Sequence, residues 1–191
     1  MSVDVSVIIV SYNTADLTVE AVQSVFGATH RVTFEVLVVD NNSSDGSADR
    51  IEAEFPGVRL TRLDYNAGFA KANNIAAKDA VGRYILLLNP DTVVLDAAID
   101  TLVAYADDHP EYGVYGGSTF FADGRRNPTA AYNRSTPWSL FATAVGLSSL
   151  FRRSRFFAPE SLAWWDWSRP RQVDIITGCL LLISHHTWEM L

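Results

Sequence analysis

Three short apolar runs and a fourth, more polar one, each followed by a cluster of polar residues, dominate the first half of the chain and leave few folds open to it. Val3–Val10 stops at Ser11-Tyr12-Asn13, and Phe34–Val39 stops at Asp40-Asn41-Asn42. Val58–Leu63 leads into Asn66-Ala67-Gly68, and Arg83–Leu88 stops at Asn89-Pro90-Asp91. Between them lie stretches of helical periodicity. Leu17, Ala21, Val22, Val25 and Phe26 share one face and end at Gly27; Ile51 and Phe55 precede Pro56-Gly57. An alanine-rich set runs from Phe69 to Ala80, and Ile99, Leu102, Val103 and Ala106 follow Asp96. Thr14 and Asp96 are the expected helix caps. The three apolar runs read as buried strands and Val58–Leu63 as a strand nearer an edge, and their alternation with amphipathic helices predicts a mainly parallel α/β sheet with right-handed crossovers.

After His109-Pro110 the pattern changes. Tyr112–Phe121 reads as a strand, Ala122-Asp123-Gly124-Arg125 as a hairpin turn, and Trp138–Phe151 as one amphipathic helix. Val173–Ile183 reads as a strand or a buried segment, and a last helix begins near Thr187. The division expected is 1–124 as a ligand-binding α/β half and 125–191 as the start of a second half, the whole being a C-terminally truncated domain because the chain stops without a polar or glycine ending.

Composition narrows the partners. With 191 residues, 48% hydrophobic and 19% charged, the chain has the balance of a folded domain. Its net charge of −7 is uneven. Residues 1–124 carry 7 basic and 18 acidic side chains, whereas residues 125–171 carry 8 arginines and 2 acids. The arginine-rich stretch suits a phosphate-bearing ligand or an anionic surface, and Arg152, Arg153 and Arg155 are the candidates for a peripheral membrane contact. The acidic remainder argues against nucleic acid. Cys179 is the single cysteine, so no internal disulfide forms, and a reducing, cytoplasmic location is expected. The first residues, MSVDVSVIIVSYN, lack the basic start of a signal peptide.

In a parallel sheet the four polar clusters meet at one edge, where α/β ligands collect. Such an edge offers amides, a helix N-terminus after Gly68 for phosphate, and carboxylates that are either turn residues or ligand groups. Asp91 could hold a hard divalent cation only with phosphate oxygens completing its shell. The segment SYNTAD matches neither a dinucleotide fingerprint nor a phosphate-binding P-loop. His185 and His186 read as surface residues of the last helix.

The stretches VSVIIVSYN, VLVVDNNSSDGS, NAGFAKANN, YILLLNPDTVV and VDIITGCLLLI, in this order, resemble the inverting family 2 glycosyltransferases of GT-A fold, and among them the rhamnosyltransferase-like bacterial members. The resemblance implies a Rossmann-like three-layer sandwich and transfer of a sugar, rhamnose from a dTDP-type donor, to a carbohydrate or lipid-linked acceptor in cell-wall or polysaccharide synthesis. It implies a nucleotide-sugar site built from Ser11, Tyr12, Asn13, Asp40, Asn42, Asn66, Gly68, Lys71, Asn73, Asn89 and Asp91. Asp40 would meet the base or ribose, and Asp91 would bind Mg²⁺ or Mn²⁺. Asn89 replaces the first acid of the family's Asp-x-Asp motif, and Asn73 stands where many relatives carry arginine. The family's Glu-Asp motif, whose aspartate is the general base, is expected beyond Leu191, so the residues given are expected to bind nucleotide and turn over little donor. The alternatives are a nucleotidyltransferase, whose N-terminal glycine-rich loop is missing here, and a non-catalytic sugar-nucleotide-binding or interaction module.

Overall fold

A computed structural model describes residues 2–191, in two compact units: residues 2–117 with 178–191, and Ser118–Thr177. The first unit opens with β1 (Val5–Ser11), α1 (Ala15–Ala28), β2 (Phe34–Asp40), α2 (Ser47–Glu54), β3 (Arg59–Arg62), α3 (Phe69–Ala77), β4 (Tyr84–Leu88), α4 (Ala98–Asp108) and β5 (Val114–Gly116). The second unit contributes β6 (Ala131–Tyr132), α5 (Pro137–Ala144), α6 (Leu147–Leu150) and β7 (Ile175–Ile176), with β6 and β7 paired antiparallel. The chain then returns to the first unit through β8 (Leu180–Ser184) and α7 (His185–Glu189).

The sheet order is β3-β2-β1-β4-β8-β5. The first four strands are mutually parallel, and β8 runs antiparallel between β4 and β5. Alternating side chains divide the core in two. Val5, Val7, Ile9, Leu86 and Leu88 face α1 and α4, whereas Ile8, Val10, Leu37, Val39 and Leu87 face the alanines of α3. This is the expected three-layer arrangement. The small residues Ala72, Ala76, Ala77 and Ala80 let α3 lie close to the strands.

Several local expectations are corrected. The boundary at 124/125 does not match the compact units, because β8 completes the first sheet and carries the last residues with it. Asp96 does not cap α4: it and Ala97 both take left-handed backbone, Ala97 holds the cap position, and no side chain caps the helix. Thr14 does hold the cap position of α1, but its side chain makes no cap bond; Asp45 Oδ2 instead accepts from the Ala15 N–H at 3.0 Å. Leu17 and Phe26 are half-exposed, and Phe26 packs its ring against Phe34 and Phe55. The strand expected over Tyr112–Phe121 shrinks to three residues, while the turn at Asp123-Gly124 forms, closed by the Phe121 N–H to the Arg125 carbonyl at 2.8 Å. The helix expected over Trp138–Phe151 breaks at Gly146, which is left-handed at φ 78°.

Ion pairs and capped carboxylates gather at the amino ends of the strands. The Arg83 guanidinium bridges Asp107 and Asp4, each at 2.9 Å, and Tyr84 donates to Asp107. Burial, reinforced by Asp107, pushes the Tyr84 hydroxyl up to about 12. Asp100 on α4 accepts from the backbone N–H groups of His30, Arg31 and Val32 at 2.9 to 3.0 Å, pinning the loop that enters β2. Burial works against its ionisation, but the three donors outweigh that and hold its carboxyl below the usual range. A depressed native value stabilises the fold above the unfolded value, near pH 4, and that stability is lost as pH falls through the native value. Asp100→Asn is therefore expected to lower stability at neutral pH by about 2 kcal/mol and to flatten its decline on acidification, as read by denaturant titration at several pH values.

Candidate functional site

Register brings the four polar clusters level. Ser11 opposes Asp40, Asp40 opposes Arg62, and Ile9 opposes Leu88, so the carboxyl ends of β1 to β4 form one edge. From β1 the chain order proceeds outward through β2 and β3 on one side and through β4 on the other. The order reverses between β1 and β4, and the carboxyl ends of strands at such a switch point are the usual ligand position of an open α/β sheet.

The loops along this edge are cross-tied. Asn13, left-handed at φ 53°, accepts the Ser44 N–H at 2.8 Å through its side chain, and its own N–H donates to Ser43 Oγ at 3.0 Å. Asn41 donates to Asn66 Oδ1 at 2.8 Å and accepts from the Ala67 N–H at 2.7 Å, while Asn66 Oδ1 also receives the Gly68 N–H at 2.9 Å. Asn41 thus positions the turn that launches α3. It was absent from the residues expected at the site, although its place directly after a strand-end aspartate was a signal for it. Asp45, also missed, accepts from Ser47 Oγ, from the Ser47 N–H at 3.0 Å and from Ala15. The Ser47 hydroxyl is the main cause that holds its carboxyl below the ordinary range. Gly68 has φ 77° with open space where a Cβ would stand, so the backbone angle alone calls for glycine there. No side chain caps α3, which leaves its N-terminus open.

Asp40 is 4% exposed. Its Oδ2 accepts the Ser43 N–H at 3.0 Å, whereas Oδ1 is buried without a protein hydrogen-bond partner. A buried carboxylate oxygen in that condition is unfavourable to the fold by about 1 to 3 kcal/mol, and among the described residues the side-chain atoms of Thr29, Thr119 and Trp164 share it. Tyr12, Asn42, Asn66, Lys71 and Asp91 are all exposed, and Lys71 Nζ stands 4.9 Å over the Tyr65 ring.

Two expected contacts turn inward. Ser11 Oγ accepts from Thr18 Oγ1 at 2.9 Å beneath α1, and buried Asn73 returns its amide to the Phe69 carbonyl at 2.9 Å. Asn89, half-buried, donates its N–H to the Cys179 carbonyl at 3.1 Å and aims its side-chain amide at Cys179 Sγ, 3.8 Å away. It anchors the end of β4 to the entry of β8.

Asp91 reaches only Thr92 Oγ1, at 3.5 Å. Among the described residues no group of three or more metal-ligating side chains exists. The donor set fits one-point attachment at most: a single exposed carboxylate could bind a hard cation only if its other ligands came from a bound diphosphate and water. His185 is held at 2.8 Å from the Gly82 carbonyl through Nδ1. Neither Asp166 nor Glu160 stands free as a base. Asp166 accepts from the Ser168 N–H and hydroxyl, and Glu160 from Ser139 Oγ.

Comparison with known proteins agrees with this geometry. The family model for glycosyl transferase family 2 matches residues 6–168. The succinoglycan biosynthesis protein ExoO of Rhizobium meliloti (strain 1021) is 37% identical over 105 residues, covering 54% of this chain and 30% of that protein. The structure of S. aureus TarS in complex with UDP-GlcNAc superposes with a TM-score of 0.55 at 25% identity, covering 72% of this chain and 38% of that one. The mannosyltransferase PcManGT from Pyrobaculum calidifontis, in complex with GDP-Man and Mn²⁺, shares the fold over the whole chain with a TM-score of 0.60 at 20% identity, and 47% of its own length is covered. The chain spans less than half the length of each of these proteins. A GT-A sheet and a family model matched over most of the sequence lead to one assignment: the chain belongs to glycosyl transferase family 2.

Proposed function

We propose that the chain binds a nucleoside-diphosphate sugar across the carboxyl ends of β1 to β4 and passes the sugar to a carbohydrate or lipid-linked acceptor in the synthesis of a bacterial surface polysaccharide. The observation that carries this reading is the buried, unpartnered Oδ1 of Asp40, an acceptor waiting at the same edge as the open N-terminus of α3 and the exposed carboxylate of Asp91. TarS and PcManGT, which bind UDP-GlcNAc and GDP-Man, support the donor class.

In this reading Asp40 accepts a hydrogen bond from the base or ribose. Tyr12 and Asn42 line the nucleotide pocket, where Asn13 and Asn66 brace the loops. The first-turn N–H groups after Gly68, with Lys71 beside them, receive the diphosphate. Asp91, with diphosphate oxygens, would hold Mg²⁺ or Mn²⁺, which would supply neutralisation of the leaving diphosphate. The aspartate of the family's Glu-Asp motif would take the proton of the acceptor hydroxyl as its oxygen attacks the anomeric carbon on the face opposite the diphosphate and the carbon–oxygen bond to that group breaks, which inverts the configuration. Rhamnose from a dTDP-type donor is the sugar this reading assigns, on the strength of the motif resemblance. The location is the cytoplasmic face of a membrane, with Arg152, Arg153 and Arg155 touching lipid. No helix among the described residues is long and apolar enough to cross one.

Calorimetric titration with nucleoside diphosphates, with and without Mg²⁺ or Mn²⁺, tests the assignment. Metal is expected to raise wild-type affinity by about tenfold or more and to do nothing for Asp91→Ala. An equal metal effect in both proteins would remove Asp91 from the role.

A further inference from the structure

In the second unit, α5 packs against the rule for an amphipathic helix. Its buried residues are Ser139 and Ala142, while Leu140, Phe141 and the following Val145 face solvent. Nothing in α6 is buried, and Leu150 is 74% exposed. Exposed aromatic rings extend this surface: Phe156 lies 4.8 Å from Trp138 between ring centroids, and Phe141 lies 5.8 Å from it. The Trp138 indole N–H donates to the Phe156 carbonyl at 2.7 Å, which fixes the two together. Exposed apolar side chains gathered on neighbouring elements in this way are uncommon unless something covers them.

The charge beside it says what. Arg152, Arg153 and Arg155 are exposed, and no carboxylate among the described residues pairs with any of them. Residues 118–177 hold eight arginines and four acids, while the rest of the chain holds seven basic and eighteen acidic side chains. A ridge of Trp, Phe and Leu rimmed by exposed arginines without a carboxylate partner, Arg155 standing 4.4 Å over the Trp164 ring, matches the boundary of a bilayer, where rings sit among the acyl ends and guanidinium groups meet phosphate. A second copy of the chain would set the same unpaired arginines against one another, and the core of a protein interface is depleted of charge.

We propose that the α5–α6 surface is a docking face for an anionic lipid bilayer, with the ridge of Leu140, Phe141, Leu150 and Phe156 entering the interface and the three arginines on the headgroups. This deepens the membrane contact in the proposed function, and it adds the apolar insertion that the arginines alone would not give.

Co-sedimentation of the whole chain with vesicles of phosphatidylcholine, and of phosphatidylcholine mixed with phosphatidylglycerol, is the test. Binding is expected only to the mixed vesicles and is expected to weaken with salt. The triple variant Arg152→Glu/Arg153→Glu/Arg155→Glu should lose about tenfold or more of its partitioning. Leu140→Ser/Phe141→Ser, both at exposed positions, should lose a similar factor while keeping its circular dichroism spectrum. Equal binding to both vesicle types, no binding to the mixed vesicles, or unchanged binding by either variant would overturn the proposal. So would a dimer by light scattering that the Leu140→Ser/Phe141→Ser variant makes monomeric. Nucleoside-diphosphate titration separates the two readings: vesicle binding by a wild-type chain that takes up no nucleotide would sink the glycosyltransferase function and leave the bilayer face standing.

Discussion

Asp40→Asn is expected to weaken nucleoside-diphosphate binding by about ten- to a hundredfold while leaving the free protein as stable as wild type or more so. The two effects share one cause. Oδ2 of Asp40 is satisfied by the Ser43 N–H, but Oδ1 is buried and unpartnered, so the side chain is a burden to the unliganded fold. An amide placed there still accepts from Ser43 and removes the unpartnered oxygen. With its NH₂ group in the place of Oδ1, it presents donors where the proposed base or ribose donor needs an acceptor, and the lost bond becomes a clash of donors. A residue that only held its own loop would behave differently, since its replacement would cost stability and leave affinity almost unchanged. Calorimetry for binding, with thermal unfolding on the same samples, distinguishes the cases, and a drop in melting temperature with unaltered affinity would remove Asp40 from the binding site.

The second large effect is on folding. Gly82→Ala should destabilise the chain by about 3 kcal/mol or more, enough to unfold much of a marginally stable population. A Cβ on Gly82 would stand 2.5 Å from the backbone nitrogen of Ser6 and 2.8 Å from the Val5 carbonyl carbon, both within central strand β1. Backbone in the middle of a sheet has no room to give. The Gly82 N–H also donates to Ser6 Oγ at 2.9 Å, and Ser6 in turn donates to Glu35 Oε1 at 2.6 Å, so any shift pulls on a chain of bonds across two strands. Burial opposes ionisation of Glu35, yet Ser6, the Val81 N–H and Arg59 together hold its carboxyl low. Denaturant unfolding of Gly82→Ala beside Gly57→Ala, where nothing lies within 4 Å, gives the control.

These cases show which features were legible in the sequence. The four parallel strands and the inner face of α4 could be read because apolar runs and helical periodicity report burial directly, as in Val36–Val39 and Ile99–Ala106. Asp40 and Asp91 stood out as carboxylates at strand ends. Asn41 did not, because its importance lies in hydrogen bonds to Asn66 and Ala67, 25 and 26 residues away, and no local pattern encodes a pairing of that range. Asp96 looked like a cap because composition marks caps, but two successive left-handed residues moved it away from the helix start. Ser11 and Asn73 were placed at the site by motif position, and only their partners, Thr18 and the Phe69 carbonyl, reveal that their side chains face the protein. Trp138–Phe151 failed for a different reason: amphipathic spacing gives the face of a helix but not which face is turned to water, and a left-handed glycine interrupts it.

The position of β8 carries a consequence for how such a chain can vary. Gly116 lies opposite Leu181, so the polypeptide leaves the sheet and rejoins it at adjacent points after a detour of sixty residues. A segment that departs and returns through one doorway is a cassette. Its length and composition can change without disturbing the register of the six-stranded sheet, because both flanking strands are fixed by their pairing there. On the proposed reading, the part of the protein that meets lipid is thereby exchangeable against a constant nucleotide edge, and novelty in one need not be negotiated with the other.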